Sequence, residues 1–461
     1  MRNQFYVFTI VLTSFVLCFW LTGCAKFLDR KTTNEVVMPQ TIADMQALLD
    51  DAEIVMNLGT PASGEAGADD YFILSDYYKT CSSREQAIYR WQPYDYKWDN
   101  DWSKSYAPIY NANYCLELLR KQERNAVNAA RWNNVYGSAL FFRSYYFLQL
   151  SWIYAKAYDE ATAATDLGIV LRLTYDFNDP SRRASVADCY RQIINDTREA
   201  ADYLPDYPEH VYRPSKMAAY ALLARSFLSM RQYDSAHRYA DLCLNMKNDL
   251  IDFNGDPDLA ALSTTYPFKR FNKETIFYTE MTKADAWGVM LPTRSKVDSV
   301  LYATYEAADL RKKAYFLESG GYYRFRGSYS KAIGPFTGLA TDEMYLIRAE
   351  CSARKGATGV PDALSDLNTL LAKRYTSGGF NKIITSSASE ILNRVLEERR
   401  KELIWRGIRW ADIKRLNKEG RNIVLNRVVD GQRYQLEPNA NYYALPLPTD
   451  IITITGMPQN E

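Results

Sequence analysis

Residues 214–243 read Pro-Ser-Lys-Met-Ala-Ala-Tyr-Ala-Leu-Leu-Ala-Arg-Ser-Phe-Leu-Ser-Met-Arg-Gln-Tyr-Asp-Ser-Ala-His-Arg-Tyr-Ala-Asp-Leu-Cys, and this stretch decides the fold. Tyr220, Leu223, Ala224 and Phe227 stand at the four key positions of the first helix of a tetratricopeptide unit. Tyr233 opens the second helix, and Ala236, Ala240 and Cys243 follow at the spacing of its packed face. Small residues belong there because the two helices of a unit approach closely, while the bulky ones fill the groove between units. Pro214 suits the first helical turn, where its missing N–H would have no partner in any case. A degenerate copy follows at 345–370, with Tyr345 and Ala349, then Ala363, Leu367 and Leu370 after a longer loop.

Outward from this unit, apolar residues at period 3.6 predict helices at about 40–52, 104–122, 127–157, 185–203, 214–230, 234–247, 341–355, 361–374 and 388–417. The helices around 106–157 and 187–203 share the paired character without the repeat signature. The segments near 55–103, 250–335 and 420–461 are loop-rich, and alternation at 276–281 and 322–329 predicts short strands. The expectation is a mainly α protein on a tetratricopeptide-like helical-repeat scaffold, an architecture that supplies a binding platform rather than a chemistry.

Composition narrows the function. The 461 residues carry a net charge of +1, and a nucleic-acid binder would need a basic excess to collect phosphates. There are only two histidines, His210 and His237, which argues against His-ligated zinc and Ser-His-Asp catalysis. Aromatic residues reach 14%, led by 36 tyrosines, so the chain is equipped to bind with rings. The N-terminus reads as an export signal: Phe5 to Leu21 is uncharged, and Leu21-Thr22-Gly23-Cys24 looks like a bacterial lipobox. On this reading residues 1–23 are removed and Cys24 takes a diacylglyceryl group and a further acyl chain such as palmitate, which anchors the protein durably. Cys81, Cys115, Cys189, Cys243 and Cys351 are odd in number and contain no CxxC pair, and four of them sit at apolar helical positions, so they read as small core residues.

Several motifs then fall in one order along the chain: Cys24-Ala-Lys-Phe-Leu-Asp29, Trp102…Tyr106…Ile109…Asn113, Pro214 to Arg225, and Asp342-Glu-Met-Tyr-Leu-Ile-Arg-Ala-Glu350. They continue with Glu398-Arg-Arg-Lys-Glu-Leu403, Gly407-Ile-Arg-Trp-Ala-Asp-Ile-Lys-Arg415, Leu445-Pro-Leu-Pro448 and Gln459-Asn460. In these stretches the chain resembles the SusD/RagB family of nutrient-uptake outer-membrane lipoproteins. One position departs from the family pattern, with Arg406 where a glutamate is usual. The resemblance implies a single SusD-like fold over 24–461, in which an N-terminal part (about 24–270) and a C-terminal part (about 271–461) interleave and a less regular half carries the ligand surface. It also implies a cell-surface protein that binds an oligosaccharide, or in some members a peptide. Such a protein delivers its ligand to a TonB-dependent, SusC-like outer-membrane transporter and is not an enzyme. No cofactor, metal or catalytic residue is expected.

A sugar ring offers an apolar face to an aromatic ring and a hydroxyl rim to Asn, Asp and Arg. The loop Tyr89-Arg-Trp91-Gln-Pro-Tyr94-Asp-Tyr96-Lys-Trp98-Asp-Asn-Asp-Trp102 combines both and lacks helical periodicity, which nominates Trp91, Tyr94, Trp98, Asp99 and Asn100 as ligand-binding residues. Trp102, inside a family motif, reads as core. Further candidates are Trp287 with Arg294, and Tyr323 with Arg324, where alternation puts Tyr323 and Phe325 on one face and Arg324 and Arg326 on the other. Asp252, Asn254, Asp256 and Asp258 resemble part of an EF-hand loop, but Leu250 and Ala261 occupy its first and last ligand positions. Glu398 and Glu402 lie one helical turn apart among arginines, a pattern that predicts ionised, paired carboxylates rather than a general acid. A lipid-anchored glycosidase with two carboxylates across a cleft, or an adhesin without a small ligand, are the competing readings.

Overall fold

The computed structural model describes residues 39–284 and 286–460; the expected signal sequence at 1–23 and the expected lipidation site Cys24 lie outside them. Nine helices carry the scaffold: α1 (Asp101–Leu119), α2 (Ala129–Tyr154), α3 (Val186–Tyr203), α4 (Lys216–Ser229), α5 (Tyr233–Met246), α6 (Thr341–Ala353), α7 (Val360–Ala372), α8 (Ala388–Glu402) and α9 (Arg409–Asn417). Each packs on its neighbours in sequence from α1 to α7, and α8 closes on α6 and α7. Side-chain caps start several of them: Asn100 for α1, Ser185 for α3, Ser215 for α4 and Ser387 for α8 each accept from a first-turn N–H.

The repeat register is as read. Leu223, Ala224, Ala236, Ala240 and Cys243 are fully buried, and Phe227 stacks on Tyr239 with ring centroids 5.6 Å apart. The second copy buries Ala349, Ala363, Leu367 and Leu370 in the same way. The five cysteines of the described chain are all buried and free.

The predicted helix 388–417 is two helices. Trp405 and Gly407 between them adopt left-handed backbone, with φ of 57° and 72°. The reversal lets Arg399 of α8 (2.8 Å) and Arg415 of α9 (2.7 Å) share Asp412. Around this corner lies a buried ionic network. Glu398 meets Arg311 and Lys401, Glu402 meets Arg311 and Arg374, and Glu350 takes a bidentate pair of bonds from Arg415. Arg406 pairs with Asp342 at 3.2 Å and lies over the rings of Tyr329 and Phe336.

The irregular half contains a second hydrophobic cluster, formed mainly from residues 62–89, 251–340 and 404–429. Among the described residues strands occur as five antiparallel pairs: β1 (Tyr71–Ile73) with β5 (Ser295–Val297), β2 (Leu167–Val170) with β3 (Arg183–Ser185), β4 (Thr275–Phe277) with β8 (Leu339–Ala340), β6 (Phe316–Ser319) with β7 (Tyr322–Phe325), and β9 (Leu425–Val429) with β10 (Gln432–Leu436). Both predicted strands are shorter than read: β4 ends at Phe277, beyond which Glu280 and Met281 make only isolated bridges to Phe336 and Thr60, and β7 ends at Phe325. Arg326 therefore does not share a strand face with Arg324. It is buried, and its guanidinium donates to the carbonyls of Leu262, Thr264 and Lys313. The Asp252–Asp258 turn is held by lysines: Lys373 on Asp252, Lys273 on Asp256 and Lys269 on Asp258.

Candidate ligand-binding site

Helix α1 carries an aromatic residue every fourth position: Trp102, Tyr106, Tyr110 and Tyr114. On a helix these share one face, and Trp102, Tyr106 and Tyr110 form the floor of a cavity of about 450 Å³. Trp102 is buried edge-on against Tyr154 yet still lines the cavity, 4.7 Å from the Tyr106 ring. Burial raises the pKa of the Tyr106 and Tyr110 phenols, so both stay neutral donors. Tyr106 donates to the carbonyl of Val170 at 2.7 Å.

Two loops wall the floor. One is the 89–102 segment. Its exposed aromatic is Trp98, 74% accessible on the cavity rim, whose backbone N–H donates to Asp450 at 3.2 Å. The segment is tied to the C-terminal stretch through Thr449, which donates its N–H to Tyr96 O (2.8 Å), and through Tyr96, whose hydroxyl donates to Pro446 O (2.7 Å). Ile451 and Met457 of that stretch complete this wall. The other loop connects β2 to β3 and carries Tyr175 and Phe177. Phe177 is 79% accessible and stacks on Tyr110 with centroids 4.9 Å apart and planes 20° from parallel; Tyr175 leans on Tyr114 at 5.3 Å. Trp98 and Phe177 thus offer ring faces from two different loops over one aromatic floor.

The candidates read from sequence divide sharply. Trp98 lines the cavity. Asp99, beside it, pairs with Lys104 at 2.7 Å and is partly exposed. Asn100 is buried as the α1 cap, its side-chain oxygen accepting from Ser103 N at 2.9 Å, and at 2% exposure it does not reach the cavity. Trp91 corrects the reading most clearly. It is 7% exposed, its indole N–H donates to Gly67 O at 2.9 Å, and it packs in the main core, so no ring face is available for stacking. Tyr94 is half-buried against Tyr96 and Arg84. Trp287 is buried at the head of a short helix, and Arg294 is engaged by Glu85 and Gly288 O. Tyr323 stacks on Tyr302 at 3.7 Å on the β6–β7 hairpin, and Arg324 lies beside it opposite Leu317; neither reaches this cavity. Tyr106, Tyr110, Tyr175 and Phe177 were not among the candidates. The four-residue aromatic spacing on α1 was a legible signal for the first two. Thr-Tyr-Asp-Phe-Asn-Asp at 174–179 interleaves aromatic and polar residues much as 89–102 does.

A larger groove of about 670 Å³ lies at the start of α2, lined by Gln46, Asn133, Asn134, Tyr203, Tyr207 and Arg213 among others. Of its two arginines, Arg213 is paired with Asp50 and Glu209, and Asn134 donates to Gln46 within the groove wall. It lacks the facing exposed rings of the α1 cavity, which we take as the site.

Comparison with known proteins agrees with this architecture. Residues 26–228 match a family model described as starch-binding and associating with the outer membrane, and residues 250–453 match the model of the SusD family. A SusD-like protein P2 from Formosa agariphila is 24% identical over 408 residues, which cover 75% of this chain and 76% of that protein. A SusD superfamily protein from Bacteroides thetaiotaomicron, known from a crystal structure, superposes with a TM-score of 0.73 at 20% identity, covering 91% of this chain and all of the other. A SusD-like carbohydrate binding protein from Bacteroides vulgatus superposes with a TM-score of 0.65 at 20% identity over 90% of this chain and 97% of its own.

Proposed function

This chain belongs to the SusD/RagB family, and on that premise we propose that it is a lipid-anchored glycan-binding protein of the outer cell surface. In this reading it captures an oligosaccharide on the α1 cavity and passes it to a TonB-dependent outer-membrane transporter. The observation that carries the proposal is the pair of exposed rings, Trp98 and Phe177, facing one aromatic-floored cavity from two loops. Rings so placed give a sugar large rigid apolar faces at small entropic cost. Among the described residues no helix is long and apolar enough to cross a membrane, which accords with attachment through Cys24.

Binding rather than catalysis is supported by the carboxylates. Glu398 and Glu402 are fully buried and hold arginines, so neither faces a cleft where a glycosidic bond could lie. A peptide ligand is the second reading, favoured by how few cavity polar groups are free: Arg172 donates to Asp179 O and Ser181 Oγ, and Asn113 donates to the loop backbone. The test is titration of gluco-, xylo- and manno-oligosaccharides, alongside a mixed peptide library, into wild type and a Trp98→Ala, Phe177→Ala double variant. Saccharide binding lost in the double variant supports the proposal. Peptide binding alone, or saccharide binding untouched by the variant, overturns it.

A further inference from the structure

Asn113 of α1 is 2% exposed and sits beneath the β2–β3 loop. Its amide nitrogen donates to two loop carbonyls, Arg172 O at 2.8 Å and Thr174 O at 3.2 Å. Its amide oxygen accepts from Arg143 at 3.0 Å. Arg143 is itself fixed by a buried bidentate pairing with Asp196, at 2.7 and 2.8 Å, and Gln192 donates to the same carboxylate. This order has a direct consequence. A guanidinium can only donate, so the atom of Asn113 that faces it must be the carbonyl oxygen, and the NH2 is thereby turned toward the loop. A charged donor also polarises the amide, strengthening the bonds its other end makes.

Among the described residues, the loop's other hydrogen bonds to the rest of the chain lie at its edges, and its rings rest on α1, Phe177 on Tyr110 and Tyr175 on Tyr114. Tyr106 binds Val170 O at its start, and Arg183 at its end donates to Gly168 O and to Asn460. Within the loop the contacts are local: Arg172 to Asp179 and Ser181, Thr174 to Asp179, and Asp176 to Asn178. Phe177 at the tip depends on that frame for its place over Tyr110.

We propose that Asn113 is a positioning residue for ligand binding: oriented by the Arg143–Asp196 pair, it holds the 171–182 loop so that Phe177 stands over the cavity. This rests on the glycan reading for its functional meaning and on the structure alone for the tether. Two arms test it on the full chain. Asn113→Asp keeps an acceptor for Arg143 and removes the two donors to the loop. Hydrogen exchange should then accelerate in 171–182 while α4 and α5 stay protected as in wild type. For the tightest-binding oligosaccharide of the panel above, Asn113→Asp should weaken affinity by about tenfold. The same change in a Phe177→Ala background should cost little more, because the tether acts through that ring. Unchanged exchange in 171–182, or an Asn113 effect fully additive with Phe177→Ala, overturns the proposal. Faster exchange without any saccharide binding refutes the glycan reading and leaves the tether standing.

Discussion

Single side chains separate binding from stability in this molecule, and the two tryptophans of one loop show how. Trp98 projects into solvent and Trp91 fills the core, seven positions apart in a segment without periodicity. Trp98→Ala should lower ligand affinity by ~1–3 kcal/mol and leave the melting temperature near wild type, as truncation of an exposed hot spot does. Trp91→Ala should do the reverse. It opens a cavity, strands the Gly67 carbonyl and costs ~3–5 kcal/mol of stability, measurable by denaturant titration. Glu398→Gln belongs with Trp91, because it leaves Arg311 and Lys401 buried with reduced compensation, and its loss should be ~3–5 kcal/mol with affinity unmoved. The tryptophans and tyrosines that concentrate the binding potential were visible in the sequence. Which of them is exposed was not, because in a loop that choice is made by tertiary partners: Gly67 for Trp91, and Thr449 and Asp450 for the segment leading to Trp98.

At the level of elements, the helices were legible because their burial repeats with the helical period, and each terminus lies within a few residues of where the apolar pattern stops. The small buried positions of α4 and α5 make a sharp test. Ala224→Trp or Ala236→Trp forces apart two helices in contact and should lower the melting temperature, at ~1–3 kcal/mol or more; a pair of unchanged melts would refute the register. The break in 388–417 was missed although Gly407 marks it locally: the chain reverses through left-handed backbone at Trp405 and Gly407, and Arg399 and Arg415 meet Asp412 across the turn. Asp101 adds a pH-dependent element. Its carboxylate accepts from Ala62 N, Ser63 N and Ser63 Oγ and so caps the short helix Ser63–Gly67. Burial nevertheless raises its pKa to about 6 from 3.8. A carboxyl whose folded value lies above its unfolded one stabilises fully below the unfolded value, and that contribution is lost as pH rises from about 4 through about 6. The loss should be on the order of 3 kcal/mol. Asp101→Asn keeps an acceptor and removes the titration, so its stability should vary less between those two pH values than that of wild type. Equal pH dependence in the two proteins would refute the assignment.

For the whole molecule, the candidate cavity lies against α1 of the helical scaffold, not in the irregular half that the family resemblance implied. The repeats and the buried ionic network fix the frame, while the cavity is assembled where α1, the β2–β3 loop and the C-terminal stretch meet. The order of family motifs made the frame readable end to end. The cavity was only half readable, since Phe177 and Ile451 are distant in sequence and nothing local pairs them. The proposed lipid attachment is tested on the full chain: Cys24→Ala should leave an unprocessed precursor that takes up no radiolabelled palmitate, and normal labelling would contradict the lipobox. The central claim is that ligand is held between Trp98 and Phe177. A crystal structure with the tightest-binding oligosaccharide tests it most directly. The account predicts sugar rings lying on the Trp98 and Phe177 faces above Tyr106 and Tyr110; a ligand seated at Tyr323 on the β6–β7 hairpin, or in the groove beside Tyr207, would contradict it.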